Sequence, residues 1–465
     1  MALYSGMLAL VFGDGTGGWY LRWVMLLEVL LAEDLFNVEL YSENARIRNY
    51  LSHVETPAKI AAAQLRINEI NELQKSPRQQ IKKLEKQLHD PAVDRNEILA
   101  AIKEIRPTID RLVQEQDANS ALAHGIRQVL EYINYDPASP PSFDPGADHS
   151  KIGEALDLIE FAAAGQASGW GFYYLLNEGA LLEQALVQYA LAVARKRGWM
   201  MITPPSLVYS HMAESCGFQP RDQNDEQQIW QVAQPEKDAA KPKRSLAATA
   251  EIPLAGLYAS KAIPEDELPI KVIGSSRCYR AEAGARGVDT KGLYRVHEFT
   301  KVEMFAWADG TEVAESGGHS ASQADLLFLE MVEIQKEILS SLGLPFRILE
   351  MPASDLGASA FRKIDIEAVF PSRMSRDDGW GELTSVSMCT DYQSRRLDTR
   401  IFDRSGSRKR FAHTLNGTAM AVPRVLAAIL EHGWRQEEKC VMIPQVLVPY
   451  MGGLDRITAQ SKSKR

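Results

Sequence analysis

The sequence predicts an α+β fold in which a helical arm precedes a domain built on an antiparallel sheet flanked by helices. Three features of the chain indicate this fold. Apolar residues repeat at heptad spacing between residues 60 and 112, and a proline-rich segment follows near residue 140. The β-rich runs beyond that segment are not separated by regular helical crossovers, which favours antiparallel pairing over a parallel sheet.

Length, charge and cysteine content limit the classes of protein. With 465 residues, 45% of them hydrophobic, the chain can bury the cores of two domains. The formal net charge is -9, so a polyanionic partner would have to meet a locally basic surface. The four cysteines are widely separated and form no CxxC pair. This argues against a zinc knuckle or a disulfide framework and favours a reducing compartment.

Residues 1–36 are interpreted as an atypical N-terminal extension. The apolar run at residues 19–31 contains Arg22 and Glu28 and is too short to span a bilayer, so we predict no membrane association. Acidic residues outnumber the single arginine of this segment, unlike the basic composition of transit and signal peptides.

Residues 37–135 are predicted to form the helical arm. Two runs of apolar residues at 3.5-residue spacing are separated by a turn around Pro91; they include Ile60, Ile67, Ile81 and Leu88, then Ile98, Ile102, Ile105, Ile109 and Leu112. This spacing predicts an antiparallel coiled-coil hairpin. At about 1.5 Å per residue each helix would extend roughly 50 Å. Pro77 and Pro107 are expected to kink or interrupt the helices.

The outward positions of the predicted hairpin are rich in basic residues: Lys59, Arg66, Lys75, Arg78, Lys82, Lys83, Lys86, Lys103, Arg106 and Arg111. A solvated coiled-coil face accounts for such residues. A basic arm on an acidic protein also suits a partner with a phosphate backbone, to which charge supplies affinity without sequence readout.

Residues 136–150 form a proline-rich linker, which places the second domain at residues 151–465. This domain opens with a predicted helix at residues 179–198 and a short strand that ends at Pro204 and Pro205. Two β-rich runs at residues 268–280 and 293–307 precede a second helix at residues 324–343. The sequence has neither a GxxxxGK[ST] loop nor a strand-linked GxGxxG, so the two usual nucleotide-binding scaffolds are not supported.

Polar residues interrupt the apolar runs of this domain in four clusters. The clusters comprise Thr249 and Glu251; Arg280, Glu282, Arg295, His297, Phe299 and Glu303; Glu382, Thr384 and Ser385; and Asn416, Gly417, Thr418 and Arg424. The first is predicted to lie inside an apolar strand, and the fourth to begin a helix that bears Arg424. Taken singly, a strand end, a solvated hairpin or a helix cap explains each cluster as well as a binding site does.

The order of the four clusters behind the arm resembles seryl-tRNA synthetase of the ordinary, non-zinc type, a class II aminoacyl-tRNA synthetase. The resemblance covers residues 37–455 and is closest to bacterial-like enzymes of fungal mitochondria. Three stretches match the class II motifs of that family: RGWMMITPP, RCYRAEAG…GLYRVHEFTKVEMF and HTLNGTAMAVPR. The resemblance implies ATP-dependent ligation of L-serine to tRNA(Ser) through a seryl-adenylate, with release of AMP and pyrophosphate.

The same resemblance implies roles for individual residues. Serine would contact Thr249, Ala250, Glu251, Arg280, Glu303, Asn416 and Thr418. ATP would contact Arg280, Ala281, Glu282, Arg295, Val296, Phe299, Glu382, Leu383, Thr384, Ser385 and Arg424. Arg280, Glu303 and Arg424 would be the catalytic residues, and Glu382 and Ser385 would hold the Mg²⁺ that accompanies ATP. His297 is assigned to holding the strand pair rather than to a ligand.

The resemblance also implies a homodimer formed through the first motif, and the tRNA as the partner of the arm. It favours the mitochondrial matrix, with the cytoplasm as the alternative suggested by the acidic N-terminus. Two other functions remain to be distinguished. A carrier-protein aminoacylating relative would lack the arm, and a non-catalytic coiled-coil derivative would be expected to have lost some of Arg280, Glu303, Glu382 and Arg424.

Overall fold

The computed structural model forms two compact units, residues 1–127 and residues 128–465. It describes residues 66, 69–70, 73–74, 76–81, 83–85, 87, 95–124, 128–141, 147–219, 227–282, 292–314, 320–352, 355–403 and 409–459. The predicted extension at residues 1–36 and the heptad residues Ile60, Ile67 and Leu88 lie outside this part of the chain.

The first unit contains helix α1 (Arg95–His124), which follows a stretch of helical residues within 66–87. Its buried side chains include Ile98, Ile102 and Leu112, three of the residues at the predicted heptad positions. The helix continues through Pro107, so of the two predicted effects, a kink or an interruption, this proline does not cause the interruption. Arg66, one of the residues predicted to point outward, donates from Nε to Glu115 Oε1 at 2.7 Å, and so joins the helical residues of 66–87 to α1.

The second unit combines one large sheet with helices. Its helices are α2 (His149–Ala155), α3 (Ala162–Ser168), α4 (Asn177–Lys196), α5 (Ser210–Ser215), α6 (Glu251–Ala255), α7 (Gln323–Ser341), α8 (Tyr392–Leu397) and α9 (Val422–Gly433). Its strands are β1 (Gln128–Ile133), β2 (Ile159–Glu160), β3 (Tyr174–Leu175), β4 (Met200–Met201), β5 (Leu207–Tyr209), β6 (Arg244–Leu246), β7 (Ala262–Pro264), β8 (Ile270–Tyr279), β9 (Glu298–Ala308), β10 (Glu312–Ala314), β11 (Ser320–Ser322), β12 (Phe346–Glu350), β13 (Arg362–Val369), β14 (Trp380–Thr390), β15 (Arg400–Phe402), β16 (Lys409–Phe411), β17 (His413–Ala421), β18 (Trp434–Arg435), β19 (Cys440–Met442) and β20 (Arg456–Thr458).

The large sheet has the strand order β1-β12-β13-β14-β17-β9-β8-β4. Its pairs are antiparallel except at one edge, where β4 runs parallel to β8. The predicted antiparallel sheet is therefore a mixed but mostly antiparallel one. Strand β1 lies within residues 37–135, the range that the sequence assigns to the arm, and it pairs with β12 in this sheet.

Strand β9 shows how the sheet serves both core and cavity. Val302, Met304 and Ala306 belong to the larger core cluster, which α4, α7 and α9 share. Because side chains alternate along a strand, the intervening residues face the other way. Phe305 and Trp307 enter a second core with Ile252 and Leu254 of α6, and the earlier residues on that face line a cavity.

Two local predictions are wrong. Thr249 and Glu251 do not lie in a strand, because Glu251 begins the short helix α6 and Thr249 lies in the turn before it. Asn416, Gly417 and Thr418 do not begin a helix, because they belong to β17, and the helix bearing Arg424 starts only at Val422. No helix in the described ranges is long and apolar enough to cross a membrane.

Candidate active site

A cavity of about 330 Å³ opens on the face of the sheet that carries the odd-numbered residues of β9. The predicted site residues that line it are Thr249, Glu251, Arg280, Glu282, Arg295, Val296, Phe299, Glu303, Glu382, Leu383, Thr384, Ser385, Asn416, Thr418 and Arg424. Ala250 and Ala281 are each adjacent to lining residues but do not themselves line the cavity. The fold thus brings together side chains that are up to 175 positions apart, from 249 to 424.

Arg280 is positioned by the end of the β8–β9 ladder. Its backbone N–H donates to the His297 carbonyl at 2.9 Å, and His297 Nδ1 bonds the Arg280 carbonyl at the same distance. His297 is not among the residues that line the cavity, so these contacts agree with its predicted role in the strand pair. The Arg280 guanidinium lies 5.1 Å from the centre of the Phe299 ring, a cation–π distance that holds it over the cavity floor.

Two buried carboxylates form the polar end of the cavity. Glu303 lies opposite Thr418 in the β9–β17 ladder, and the Thr418 hydroxyl donates to Glu303 Oε2 at 3.2 Å. Glu251 accepts bonds from Asn416 Nδ2 at 3.1 Å and from Gln393 Nε2 at 2.6 Å. Gln393 is a supporting residue that sequence reasoning missed, since nothing in its local pattern distinguishes it from a buried helical residue.

The environment of Glu251 favours its protonated form. Burial and the neighbouring Glu303 carboxylate raise the pKa of Glu251 to about 8, against the opposing charges of Lys301 and Arg280. A cation entering beside it would favour the ionised form.

Lys301 is the most important lining residue that the sequence analysis missed. Its ammonium pairs with Glu303 Oε2 at 2.6 Å, and both side chains are almost fully buried. The signal was available in the sequence, because Phe299, Lys301 and Glu303 alternate on one face of β9. Tyr294 and Lys363 also line the cavity without having been predicted.

A β-bulge brings Glu382 and Ser385 to the same cavity. In a regular strand, residues three apart point to opposite faces. The β13–β14 register pairs Thr384 with Ile366 and Glu382 with Glu367, so Leu383 is an extra residue. The bulge reverses the alternation, and both oxygen-bearing side chains line the cavity.

Arg424, from the first turn of α9, closes this end of the cavity. Its Nη1 donates to the Glu382 carbonyl at 2.9 Å and pairs with Glu382 Oε2 at 3.3 Å, while Nε donates to the Tyr294 carbonyl at 3.2 Å. Burial alone would raise the pKa of Glu382, but the charges of Arg424 and Lys363 hold it well below its usual range. Glu382 is therefore a carboxylate.

The arrangement has a clear chemical capability. The lining includes the carboxyl groups of Glu251 and Glu303 and the cationic side chains of Arg424, Arg295 and Lys363, and the charge of Arg280 acts on both Glu251 and Glu382. An apolar ring, Phe299, forms part of the wall. Such a cavity suits a zwitterionic amino acid beside a nucleoside polyphosphate.

Comparison with known proteins identifies the family. The model of the tRNA synthetase class II core domain (G, H, P, S and T) matches residues 236–433, a range that includes every predicted site residue. The mitochondrial serine–tRNA ligase of Saccharomyces cerevisiae is 38% identical over 405 residues, covering 81% of this chain and 86% of the yeast protein. The chain belongs to the seryl-tRNA synthetase family.

Members of the seryl-tRNA synthetase family from other kingdoms extend the match. A serine–tRNA ligase of Treponema pallidum is 36% identical over 435 residues, covering 90% of this chain and 96% of the bacterial one. The crystal structure of seryl-tRNA synthetase from Pyrococcus horikoshii complexed with ATP superposes with a TM-score of 0.63 at 27% identity, covering 91% of this chain and 98% of the archaeal one. The match to the seryl-tRNA synthetase family therefore includes residues outside the catalytic core.

Proposed function

We propose that the cavity activates L-serine with ATP and then transfers the seryl group to tRNA(Ser), with the residue roles set out below. The chain is an ATP-dependent serine–tRNA ligase that works through an aminoacyl-adenylate. The observation that carries the residue assignment is that Glu251, Glu303, Glu382, Arg424 and Arg280 line one cavity, in which the charge of Arg280 acts on both Glu251 and Glu382.

The serine ammonium fits the end formed by Glu251 and Glu303, with the Thr249 hydroxyl beside it. Thr249 Oγ1 accepts from the Glu251 N–H at 3.3 Å, and its second lone pair can accept from an ammonium. The substrate hydroxyl is assigned to Thr418 and Glu303, which already bond each other. A pocket that hydrogen-bonds a hydroxyl rejects alanine strongly, because its buried polar groups would then lack partners.

ATP fits the remainder of the cavity. Phe299 is assigned to the adenine ring, and Glu282, which pairs with Arg295 at 3.5 Å, is assigned to accept from the adenine amino group. Arg295 and Arg424 are assigned to the outer phosphates, and Arg280 to the α-phosphate. A planar guanidinium can bond two oxygens at once, which aligns the phosphate for attack.

The oxygen donors of β14 fit a magnesium ion. Glu382 supplies an ionised carboxylate and Ser385 a hydroxyl, and these hard ligands suit Mg²⁺. No group of three or more acidic, histidine or cysteine residues in the described ranges could hold a metal alone. When bound, Mg²⁺ would neutralise charge on the phosphates of ATP.

The chemistry requires no protein nucleophile. A carboxylate oxygen of serine attacks the α-phosphorus of ATP, a new P–O bond forms, and the bond to the bridging oxygen breaks as pyrophosphate leaves. A ribose hydroxyl of the terminal tRNA nucleotide then attacks the seryl carbonyl carbon and loses its proton as AMP departs. Arg280 stabilises the charge that develops at phosphorus, so catalysis rests on positioning and electrostatics.

The arm is proposed as an antiparallel coiled coil that binds the tRNA by shape and phosphate contacts. The Arg66–Glu115 pair at 2.7 Å and the buried Ile70, Ile98 and Ile102 support a hairpin. Lys103 and Arg106 are exposed on α1 and are available to phosphates. Duplex RNA hides its base edges in a deep groove, so proteins commonly recognise it by shape and backbone.

Three further assignments follow from the same function. We propose a homodimer formed through α4 and β4, since Leu181, Met200 and Met201 expose apolar surface there. We propose domains at residues 37–135 and 151–465 joined by the linker 136–150. Strand β1, at the end of the first range, pairs with β12 of the catalytic sheet. The similarity of this chain to the mitochondrial serine–tRNA ligase of Saccharomyces cerevisiae supports a location in the mitochondrial matrix over a cytoplasmic one.

Serine-dependent exchange of pyrophosphate into ATP tests the proposal with purified protein. We expect exchange with L-serine and not with L-alanine or L-threonine. Arg280→Ala should lower the rate by about 10²–10³, the usual cost of removing a donor to a developing charge. Arg456→Ala is the matched control, because Arg456 forms only exposed pairs with Glu438 and Asp455. Equal exchange rates in Arg280→Ala and Arg456→Ala would show that Arg280 has no role in the site.

A further inference from the structure

A buried histidine outside the cavity connects α2 to the end of the loop between β8 and β9. His149 Nδ1 lies 2.6 Å from Glu431 Oε1, and the Leu293 N–H donates to His149 Nε2 at 3.0 Å. A nitrogen that accepts a hydrogen bond carries no hydrogen, so the imidazole is neutral and its hydrogen is on Nδ1. That hydrogen is donated to Glu431.

Glu431 is itself held in place. It lies in α9, the helix that carries Arg424 at its start, and it is buried. Ser372 donates to it twice, from its backbone N–H to Oε2 at 3.0 Å and from Oγ to Oε1 at 2.6 Å. The carboxylate therefore fixes both the tautomer and the orientation of the imidazole, as a carboxylate partner does for a functional histidine.

The other end of the imidazole supports residues that line the cavity. Leu293 is followed directly by Tyr294, Arg295 and Val296, all of which line it. The Tyr294 carbonyl accepts from Arg424 Nε at 3.2 Å, so this segment has an anchor on the cavity side as well. The Leu293–His149 bond is its anchor on the opposite side.

Gly292 shows how closely this contact is built. Its φ of +77° is in the left-handed region, and a Cβ there would lie 2.3 Å from His149 Nε2 and 2.5 Å from Ser150 Oγ. Only a residue without a side chain lets the imidazole reach the next N–H. Gly292, His149 and Glu431 thus belong to one packed contact. His149 and Glu431 are 282 positions apart in the sequence.

We propose that His149 is a positioning residue for ATP, which through the Leu293 N–H fixes residues 292–296 and so places Arg295 against the phosphates. The inference rests on the proposed function of the cavity for its ligand. His149 does not line the cavity and does not enter the chemistry. Its loss should weaken ATP binding while leaving the serine end of the cavity unchanged.

The imidazole of His149 makes two hydrogen bonds, and each of two substitutions of similar size keeps one of them and removes the other. Glutamine places a side-chain oxygen near the position of Nε2 and can still accept from Leu293, whereas asparagine places an amide nitrogen near Nδ1 and can still donate to Glu431. We expect His149→Gln to keep the dissociation constant for ATP within about threefold of wild type. His149→Asn should weaken ATP binding about tenfold or more, since it leaves the buried Leu293 N–H without an acceptor.

Equilibrium binding of ATP, measured by calorimetry without serine, is the readout, together with the KM for serine in exchange. Weakened ATP binding in His149→Asn alone, at unchanged serine KM, supports the proposal. Equal ATP affinity in the two variants, or an asparagine variant that binds better than the glutamine variant, overturns it. Absence of exchange in the wild-type protein would instead refute the proposed function, because ATP binding is measured independently of turnover.

Gly292→Ala provides a second perturbation that leaves the histidine and its carboxylate partner intact. The added methyl group should displace the imidazole from Leu293 and weaken ATP binding about tenfold. An unchanged affinity for ATP in this variant, shown to be folded by its thermal transition, would contradict the proposal even if neither His149 variant can be purified.

Discussion

Serine binding should release a proton through Glu251, and the effect can be calculated from the site. Burial and Glu303 raise the pKa of Glu251 to about 8, so in the free enzyme this carboxyl is about 90% protonated at pH 7. The incoming ammonium favours the carboxylate. If the substrate binds only the ionised form, its affinity should improve about eightfold between about pH 7 and pH 8.5.

Two measurements check this expectation. The KM for serine in pyrophosphate exchange should fall with rising pH while the KM for ATP changes little. Calorimetry in buffers with different ionisation enthalpies should detect release of about 0.9 proton per serine bound at pH 7. Glu251→Gln should bind serine weakly and show neither effect. A serine KM independent of pH, with no proton released, would refute the assignment of Glu251 to the ammonium.

The same group links stability to pH with a definite sign. Its pKa is higher in the folded state than the ordinary glutamate value of 4.5, so the folded protein binds more protons between about pH 4.5 and pH 8. The contribution of Glu251 to stability therefore falls as pH rises through this window. Relative to Glu251→Gln, the wild-type protein should lose stability across the window, and it should not change further above it.

Four further results are expected. Thr418→Val should lower kcat/KM for serine by about tenfold to a hundredfold without altering the KM for ATP, because Glu303 loses a hydrogen-bond donor. An equal loss of kcat/KM for serine and for ATP would indicate a purely structural role of Thr418. Glu382→Gln should raise the Mg²⁺ concentration for half-maximal exchange about tenfold or more, and an unchanged requirement would exclude Glu382 as a ligand. Deletion of residues 57–124, which spares β1, should preserve pyrophosphate exchange but lower tRNA charging by orders of magnitude. Near-normal charging by the deletion variant would show that the hairpin has no role in tRNA binding. Lys83→Ala should reduce the salt dependence of tRNA binding. Light scattering at micromolar concentration should give about twice 51.8 kDa, and a monomer would contradict the proposed dimer.

The sequence was most informative where long patterns specify an element. The β-rich runs around residues 268–280 and 293–307 became the antiparallel pair β8 and β9, and the apolar periodicity near residue 330 became α7. These elements are long enough for alternation or helical spacing to be unambiguous. The four polar clusters also line one cavity, as the resemblance to the family implied.

Short elements were mistaken because local pattern and tertiary contacts disagree there. Helix α6 has only five residues and includes Pro253, which the first turn tolerates, so it shows no helical period. Gly417 was interpreted as part of a helix start, yet it lies in a strand where a Cβ would approach Met331 Cε to 2.9 Å. The β14 bulge and the His149–Glu431 contact depend on partners far away in the chain, which no local pattern reveals.

Trapping of the reaction intermediate tests the central claim most directly. Purified protein incubated with ATP, Mg²⁺ and labelled L-serine, and without tRNA, should retain one seryl-adenylate per site through rapid gel filtration. Addition of tRNA(Ser) should then move the label to the tRNA with release of AMP. ATP consumption without a retained adenylate, or transfer of the label to an acceptor other than tRNA(Ser), would contradict the account.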